Sequence, residues 1–266
     1  MENKFTTSLS GLNALVCGST SGIGLATAQE FSVSGASVTL FARNEEKLQN
    51  TLSSLQNSDG QQHQYLVGDF DSPDTIQEIL ESHISSGGKY HILINNSGGP
   101  KGGPIIEADT SEFIKGFNRH LICNHILTKA LLPGMKDYYY GRIINIISIS
   151  VKQPIQGLGV SNTIRGSVAS WAKTLSAEVA QDRITVNNIL PGFTDTDRLS
   201  SLIQEKSKFQ GKSKEDITMD MKKQVPSGRF GLPQETAKAI TFLASPAAGY
   251  INGVSLAVDG GRLISI

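Results

Sequence analysis

The run Cys17-Gly18-Ser19-Thr20-Ser21-Gly22-Ile23-Gly24 gathers three glycines and three hydroxyl side chains into eight positions. Glycines at this spacing let a backbone turn tightly and approach a pyrophosphate, whose charge the N–H groups of a following helix stabilise. Gly18, Ser19, Ser21, Gly22, Ile23 and Gly24 are therefore candidate nucleotide contacts, with a ligand-free glycine turn as the plain alternative. Metal chemistry has no such support, because the five histidines are scattered without ligand spacing. Cys17 and Cys123 stand too far apart in the chain to suggest a disulfide framework, and they fit a reducing compartment.

A cradle of this kind works only between a strand and a helix, and the chain supplies both. NALVC (13–17) reads as a strand and GIGLATAQEFSVSG as a helix closing on Gly35. ASVTLFA (36–42), QYLVGDF (64–70), HILINNSGG (91–99), RIINIIS (142–148), ITVNNIL (184–190) and GVSLAVDGG near the C-terminus read as further strands. Helical segments are expected between them, over about 44–57, from Ser72 as N-cap with Pro73 at the first position, over 109–136 and 161–181, and in PQETAKAITFLAS. Strands alternating with helices predict one α/β domain over 1–266, a doubly wound parallel sheet (Rossmann fold) with helices on both faces. Lys plus Arg equals Asp plus Glu, 24 each, so no basic excess points to nucleic acid or a membrane surface. The N-terminus lacks the apolar core of a secretory signal and no run is long enough for a membrane helix, so the expected location is cytoplasmic.

The end of the second strand bears on which nucleotide is held. An NAD site usually places a carboxylate there for the ribose hydroxyls. Here the order is Phe41-Ala42-Arg43-Asn44, with no acid before Glu45. A carboxylate would repel a 2′-phosphate, whereas an arginine fork pairs with it. Arg43 with Ser19 and Ser21 thus favours NADP over NAD, the alternative being that Arg43 is a solvated surface charge.

Five blocks in order, GSTSGIG, NNSGG (95–99), GRIINIIS (141–148), ILPGFTDT (189–196) and INGVSLAVDGG (251–261), resemble the short-chain dehydrogenase/reductase family over residues 10–261. The resemblance implies hydride transfer between a nicotinamide and a carbonyl or alcohol carbon of a small molecule. It also implies Asp69 beside the adenine, Asn95 bracing the sheet near the ribose, Pro191 and Gly192 near the nicotinamide, and a homotetramer or homodimer.

That family's catalytic Ser, Tyr, Lys and Asn do not carry over intact. Ser148 matches the serine, which orients the substrate oxygen. The tyrosine position falls on Ser161, the lysine position on Arg165 and the asparagine position on His120. A phenol titrates near 10 and can be tuned downward, while an alkyl hydroxyl is a far weaker acid. Arg165 can still hydrogen-bond ribose hydroxyls, and the proton then comes through Ser161, His120 or water. His120 is either a substitute proton donor or a helix histidine bonded to a backbone carbonyl, and Asn124 is a weaker relay candidate. Tyr138, Tyr139 and Tyr140 precede a strand and belong at the end of the sheet away from ligands. SNTIR (161–165) with NNSGGP resembles an atypical subgroup, near the 3-oxoacyl-[acyl-carrier-protein] reductases, in which Ser-Asn-x-x-Arg replaces Tyr-x-x-x-Lys.

The charged stretch 195–225 occupies the family's lid position and reads as a long polar loop. Arg198 or Lys206 would meet an anionic substrate there, unless the segment is only a solvated face. Two readings stay open on the sequence: an NADP-dependent oxidoreductase, or a dinucleotide-binding sensor or scaffold with impaired catalysis.

Overall fold

The computed structural model describes residues 7–58 and 60–265. Seven parallel strands form a single sheet in the order β3-β2-β1-β4-β5-β6-β7. They are β1 (Asn13–Cys17), β2 (Ser37–Ala42), β3 (Gln64–Val67), β4 (Ile92–Asn95), β5 (Gly141–Ile146), β6 (Ile184–Pro191) and β7 (Ser255–Val258). The chain winds outward from β1 in one direction and from β4 in the other. A crevice therefore opens at the carboxyl ends of these two neighbours.

Why the strands read as continuous apolar runs is clear from what each face meets. Successive side chains of a strand point to opposite faces. Ala14 and Val16 pack with Ala28 and Phe31 of α1 (Gly22–Val33) and with Ile240 and Leu243 of α9 (Pro233–Ala244). Leu15 and Cys17 pack on the other face against Ile76 and Leu80 of α3 (Pro73–Ser85) and Leu127 and Leu131 of α5 (Cys123–Asp137). Ala172 of α6 (Gly159–Glu178) joins that second core. Both faces are dry, as a parallel sheet requires.

One row of the second face is polar. Asn95, Asn145 and Asn188 stand in register on β4, β5 and β6, each at most 3% exposed. Asn95 Nδ2 donates to Asn145 Oδ1 at 2.8 Å, Asn145 Nδ2 donates to Asn188 Oδ1 at 2.9 Å, and Asn188 Nδ2 donates to Ser255 Oγ at 3.1 Å. Three amides and a serine hydroxyl thus link four strands near the crevice, which is how Asn95 braces the sheet.

Two expectations need correction. The predicted helix over 109–136 is α4 (Thr110–Phe117) and α5 joined by a π-helical turn, Asn118–Ile122. The polar stretch 195–225 is helical rather than a loop, forming α7 (Asp197–Gln210) and α8 (Lys214–Lys223), with α2 (Glu45–Ser53) the remaining helix of the first half. Thr196 and Ser213 cap α7 and α8 by accepting the N–H groups of Leu199 and Asp216. Leu199, Leu202 and Ile203 recur at helical spacing and pack with Ile217, Met221, Phe193 and Phe230, which gives the stretch a small core of its own. Among the described residues no helix is long and apolar enough to cross a membrane.

Candidate active site

The crevice has a volume of about 640 Å³ and is walled by the loops that follow β1 to β6 together with helices α6 and α7. Its floor is the glycine turn. Gly18 and Gly22 adopt φ of +59° and +54°, a left-handed backbone that favours glycine. A Cβ on Gly24 would lie 2.1 Å from the Gly18 carbonyl oxygen and 2.7 Å from Asn96 Nδ2, so α1 can approach β1 this closely only without a side chain there. Asn96 Nδ2 donates to the carbonyls of Cys17 and Gly18 and braces the turn from β4. Ser21 is the N-cap of α1 and makes no side-chain capping bond, so its hydroxyl is not spent on the helix. Free N–H groups at a twelve-residue helix start, beside a backbone with no room for Cβ atoms, fit a dinucleotide pyrophosphate.

Ser19 stands elsewhere than expected. It is fully buried, and its Oγ accepts the Phe41 N–H at 3.1 Å, tying the turn to β2. Thr20, not Ser19, lines the crevice, as do Ser21, Gly22 and Ile23. At the end of β2, Arg43 and Lys47 line the crevice and neither has an ion-pair partner among the described residues. Asn44 Oδ1 accepts the Lys47 N–H and starts α2 there.

Asp69, Pro191 and Gly192 also line the crevice. Asp69 Oδ1 accepts the Asp71 N–H at 3.0 Å. A Cβ on Gly192 would fall 2.7 Å from Asp259 Cα, so this turn after β6 abuts the turn after β7. Asp71 itself takes both Arg119 Nε and Nη2, at 2.7 and 2.6 Å, while Arg119 Nη1 holds the Gly98 carbonyl. Burial pushes the Asp71 carboxyl up, but Arg119 and then Lys115 outweigh it and hold it below the usual range. This pair ties the loop after β3 to the turn between α4 and α5, and the Gly98 bond adds the loop after β4; nothing in the sequence singled it out.

Ser148, Ser161 and Arg165 all line the crevice. Ser148 leaves β5 in extended conformation, and its Oγ accepts the Ser150 N–H at 3.1 Å. Ser161 lies in the first turn of α6, and Arg165 follows one turn later, so both project from one face of that helix. Arg165 is 8% exposed, and its Nη1 donates to the Ile146 carbonyl at 2.9 Å. Burial, with Arg198 nearby, lowers its pKa to about 10, which still leaves it a cation at neutral pH. No tyrosine lines this crevice among the described residues. Tyr138 stacks on His91, and Tyr140 donates to the Ala244 carbonyl, at the amino ends of the strands.

His120 does not line the crevice. It is buried in the π-helical turn, with Nδ1 2.7 Å from Ser97 Oγ and Nε2 without a hydrogen-bond partner among the described residues. Burial first, then the positive charges of Arg165 and Arg119, press its pKa well below 6.5, so the ring is neutral. Ser97, which the sequence did not single out, does line the crevice, so His120 reaches the site through it. Asn95 and Asn124 are buried beside the site without lining it. Arg198 of α7 lines the crevice and donates to the Pro100 carbonyl at 2.9 Å, joining α7 to the loop after β4, whereas Lys206 does not line it. Among the described residues no group of three or more His, Cys, Asp or Glu could hold a metal ion.

Residues 18–262 match the family described as enoyl-(acyl carrier protein) reductase. The chain is 34% identical to a 3-oxoacyl-[acyl-carrier-protein] reductase of Haemophilus influenzae, covering 97% of this chain and 100% of that protein. It is 30% identical to a chloroplastic tropinone reductase homolog of Arabidopsis thaliana, over 97% of this chain and 77% of that one. Among solved structures, L-sorbose reductase from Gluconobacter frateurii, complexed with NADPH and L-sorbose, superposes with a TM-score of 0.91 at 32% identity, covering 98% of this chain and all of that one. The actinorhodin polyketide ketoreductase with NADPH gives 0.86 at 29%, covering 96% and 98%. The glycine cradle at the β1–α1 junction, the sheet order and these matches agree: the chain belongs to the short-chain dehydrogenase/reductase family of NAD(P)-dependent oxidoreductases and resembles its 3-oxoacyl-[acyl-carrier-protein] reductases.

Proposed function

We propose that the protein is an NADP-dependent oxidoreductase acting on a carbonyl or secondary alcohol, related in substrate to the 3-oxoacyl-thioester reductases. The observation that carries the nucleotide choice is the end of β2. Arg43 and Lys47 offer two cations without ion-pair partners among the described residues, and no carboxylate stands where a 2′-phosphate would meet it. Two solved relatives that carry NADPH support the same reading. The turn Gly18–Gly24 and the start of α1 would hold the pyrophosphate, Asp69 the adenine end, and Pro191 and Gly192 the nicotinamide end. When bound, the dinucleotide supplies or accepts a hydride.

The protein's own part is to place the substrate oxygen and to move a proton. Ser148 and Ser161 line the crevice and orient that oxygen. Neither is acidic enough to replace a tuned phenol. His120 adds a ring that exchanges a proton only through the Ser97 hydroxyl, the group between it and the crevice. Turnover is accordingly expected to be slow compared with a site that holds tyrosine and lysine. A cofactor-binding sensor or scaffold shares the cradle and is favoured by one observation, the absence of any tyrosine along the crevice among the described residues. Family resemblance supports a cytoplasmic homotetramer or homodimer, and analytical sedimentation tests the oligomer.

Calorimetric titration with NADPH and, separately, NADH tests the reading. Binding with NADPH preferred, followed by NADPH consumption with a 3-oxoacyl thioester, supports it. Binding without turnover over a carbonyl panel leaves the sensor. No binding of either nucleotide overturns both.

A further inference from the structure

The cations of the crevice fall into two groups with different work. Arg43 and Lys47 stand at the end of β2, beside the nucleotide cradle. Arg119 is committed to Asp71. Arg165 of α6 and Arg198 of α7 remain, at the other end, where β5 and β6 finish.

These two lack what buried or paired cations normally have. Arg165 is more than nine-tenths buried, yet its one hydrogen bond among the described residues runs from Nη1 to the Ile146 carbonyl. Arg198 spends one bond on the Pro100 carbonyl. Neither has a carboxylate within ion-pair distance among the described residues, although Asp69 and Asp197 line the same crevice. A buried guanidinium with no anion is costly, and a second guanidinium stands beside it: a Cβ on Gly99 would lie 3.6 Å from Arg165 Nη2, and Arg198 holds the carbonyl of the next residue, Pro100. The dinucleotide brings no anion there, although its ribose hydroxyls can accept a hydrogen bond from Arg165. Its phosphates belong at the start of α1 and at Arg43, and a nicotinamide ring carries no negative group and is itself cationic when oxidised.

We propose that Arg165 and Arg198 together bind a carboxylate of the substrate, so that the protein takes a short oxo or hydroxy acid whose reacting oxygen meets Ser148 and Ser161. This rests on the oxidoreductase reading and replaces the thioester substrate proposed above with a free oxo or hydroxy acid. It also accounts for arginine at position 165. A planar fork accepts a carboxylate through two parallel bonds, which a compact ammonium cannot do. Arg198 comes from the lid, so an anion held between the two would draw α7 onto the loop after β4, where Arg198 already touches Pro100.

The test uses the full chain saturated with NADPH in low-chloride buffer. Malonate and, separately, uncharged dimethyl malonate are titrated by calorimetry into wild type, R198Q, R165Q and R165K. Malonate is expected to bind wild type and the diester not. Malonate affinity should fall at least tenfold in R198Q and in R165K and be lost in R165Q, with NADPH affinity in R198Q within about threefold of wild type. Silence of malonate on the NADPH-bound wild type, or an unchanged affinity in R198Q, overturns the proposal. So does an R165Q protein that loses NADPH and keeps malonate, which would make Arg165 a nucleotide contact. Should R165Q fail to fold, R198Q decides, since its side chain is exposed. If NADPH itself does not bind, the oxidoreductase reading fails instead, and malonate titrated into the nucleotide-free protein still judges the arginine pair.

Discussion

Replacing Gly24 by alanine adds one methyl group at the tightest point of the cradle. That carbon would sit 2.1 Å from the Gly18 carbonyl oxygen and 2.7 Å from Asn96 Nδ2. Against an unstrained separation of roughly 3.5 Å, the first contact is more than an ångström short. Neither neighbour can swing aside, because Gly18 is pinned by its N–H bond to Phe41 O and Asn96 by its bonds to the turn. The start of α1 must therefore retreat, at about 1–3 kcal/mol of stability. Its N–H groups retreat with it, and loss of one charge-assisted hydrogen bond is worth about 1.5–3 kcal/mol. G24A should raise the NADPH dissociation constant at least about tenfold, measured by calorimetry, and lower the urea midpoint of the free protein. Gly166 is the control, a helical glycine of α6 whose added Cβ would meet nothing within 4 Å. G166A should leave binding alone and stabilise the fold by about 0.5–1 kcal/mol. A G24A protein that binds NADPH like wild type would refute the assignment of this turn as the phosphate cradle.

Three other outcomes follow from the same geometry. Asn145→Ala strands Asn95 Nδ2 and Asn188 Oδ1 without partners, and at about 1–3 kcal/mol for each orphaned group the urea-derived stability should fall by about 2–6 kcal/mol. Arg43→Ala should weaken NADPH by about tenfold or more while leaving NADH within about twofold, read from paired titrations. The Asp71 carboxyl is held below its unfolded value, so its pairing with Arg119 stabilises the protein above the unfolded carboxylate pKa, about 4, and loses that contribution as pH falls through the lower folded value. Asp71→Asn should therefore be less stable than wild type at pH 7 and nearly equal to it in acid, measured by urea unfolding from pH 7 down to 3.

Much of the fold was legible because strand runs and turn residues are local signals. Gly18 to Gly24 stand within one turn of chain, and Ser148, Ser161 and Arg165 could be placed by counting along it. What escaped depends on partners far away in sequence. Ser19 looks like a ligand contact beside two glycines, and only β2, 22 positions on, shows that its hydroxyl is taken. His120 sits on a helix face of ordinary pattern, and neither the π-helical turn nor the Ser97 contact 23 positions earlier leaves a periodic trace. The stretch 195–225 read as loop because Lys, Ser and Asp dominate its composition, while the Leu199, Leu202 and Ile203 spacing that folds it is short and has few repeats.

The row of asparagines has a further consequence for how the sheet comes together. With isoleucine, leucine and valine on both faces, a strand displaced by one residue would still bury apolar groups on either side, so the apolar pattern alone distinguishes poorly between right and wrong alignments. The amides remove that ambiguity. One step out of place, Asn145 would turn away from Asn95 and Asn188 into the aliphatic layer beneath α1 and α9, a buried amide without a partner. Four strands that share one row of side-chain bonds can thus meet in only one alignment, and that alignment fixes which residues beyond β4, β5 and β6 wall the crevice.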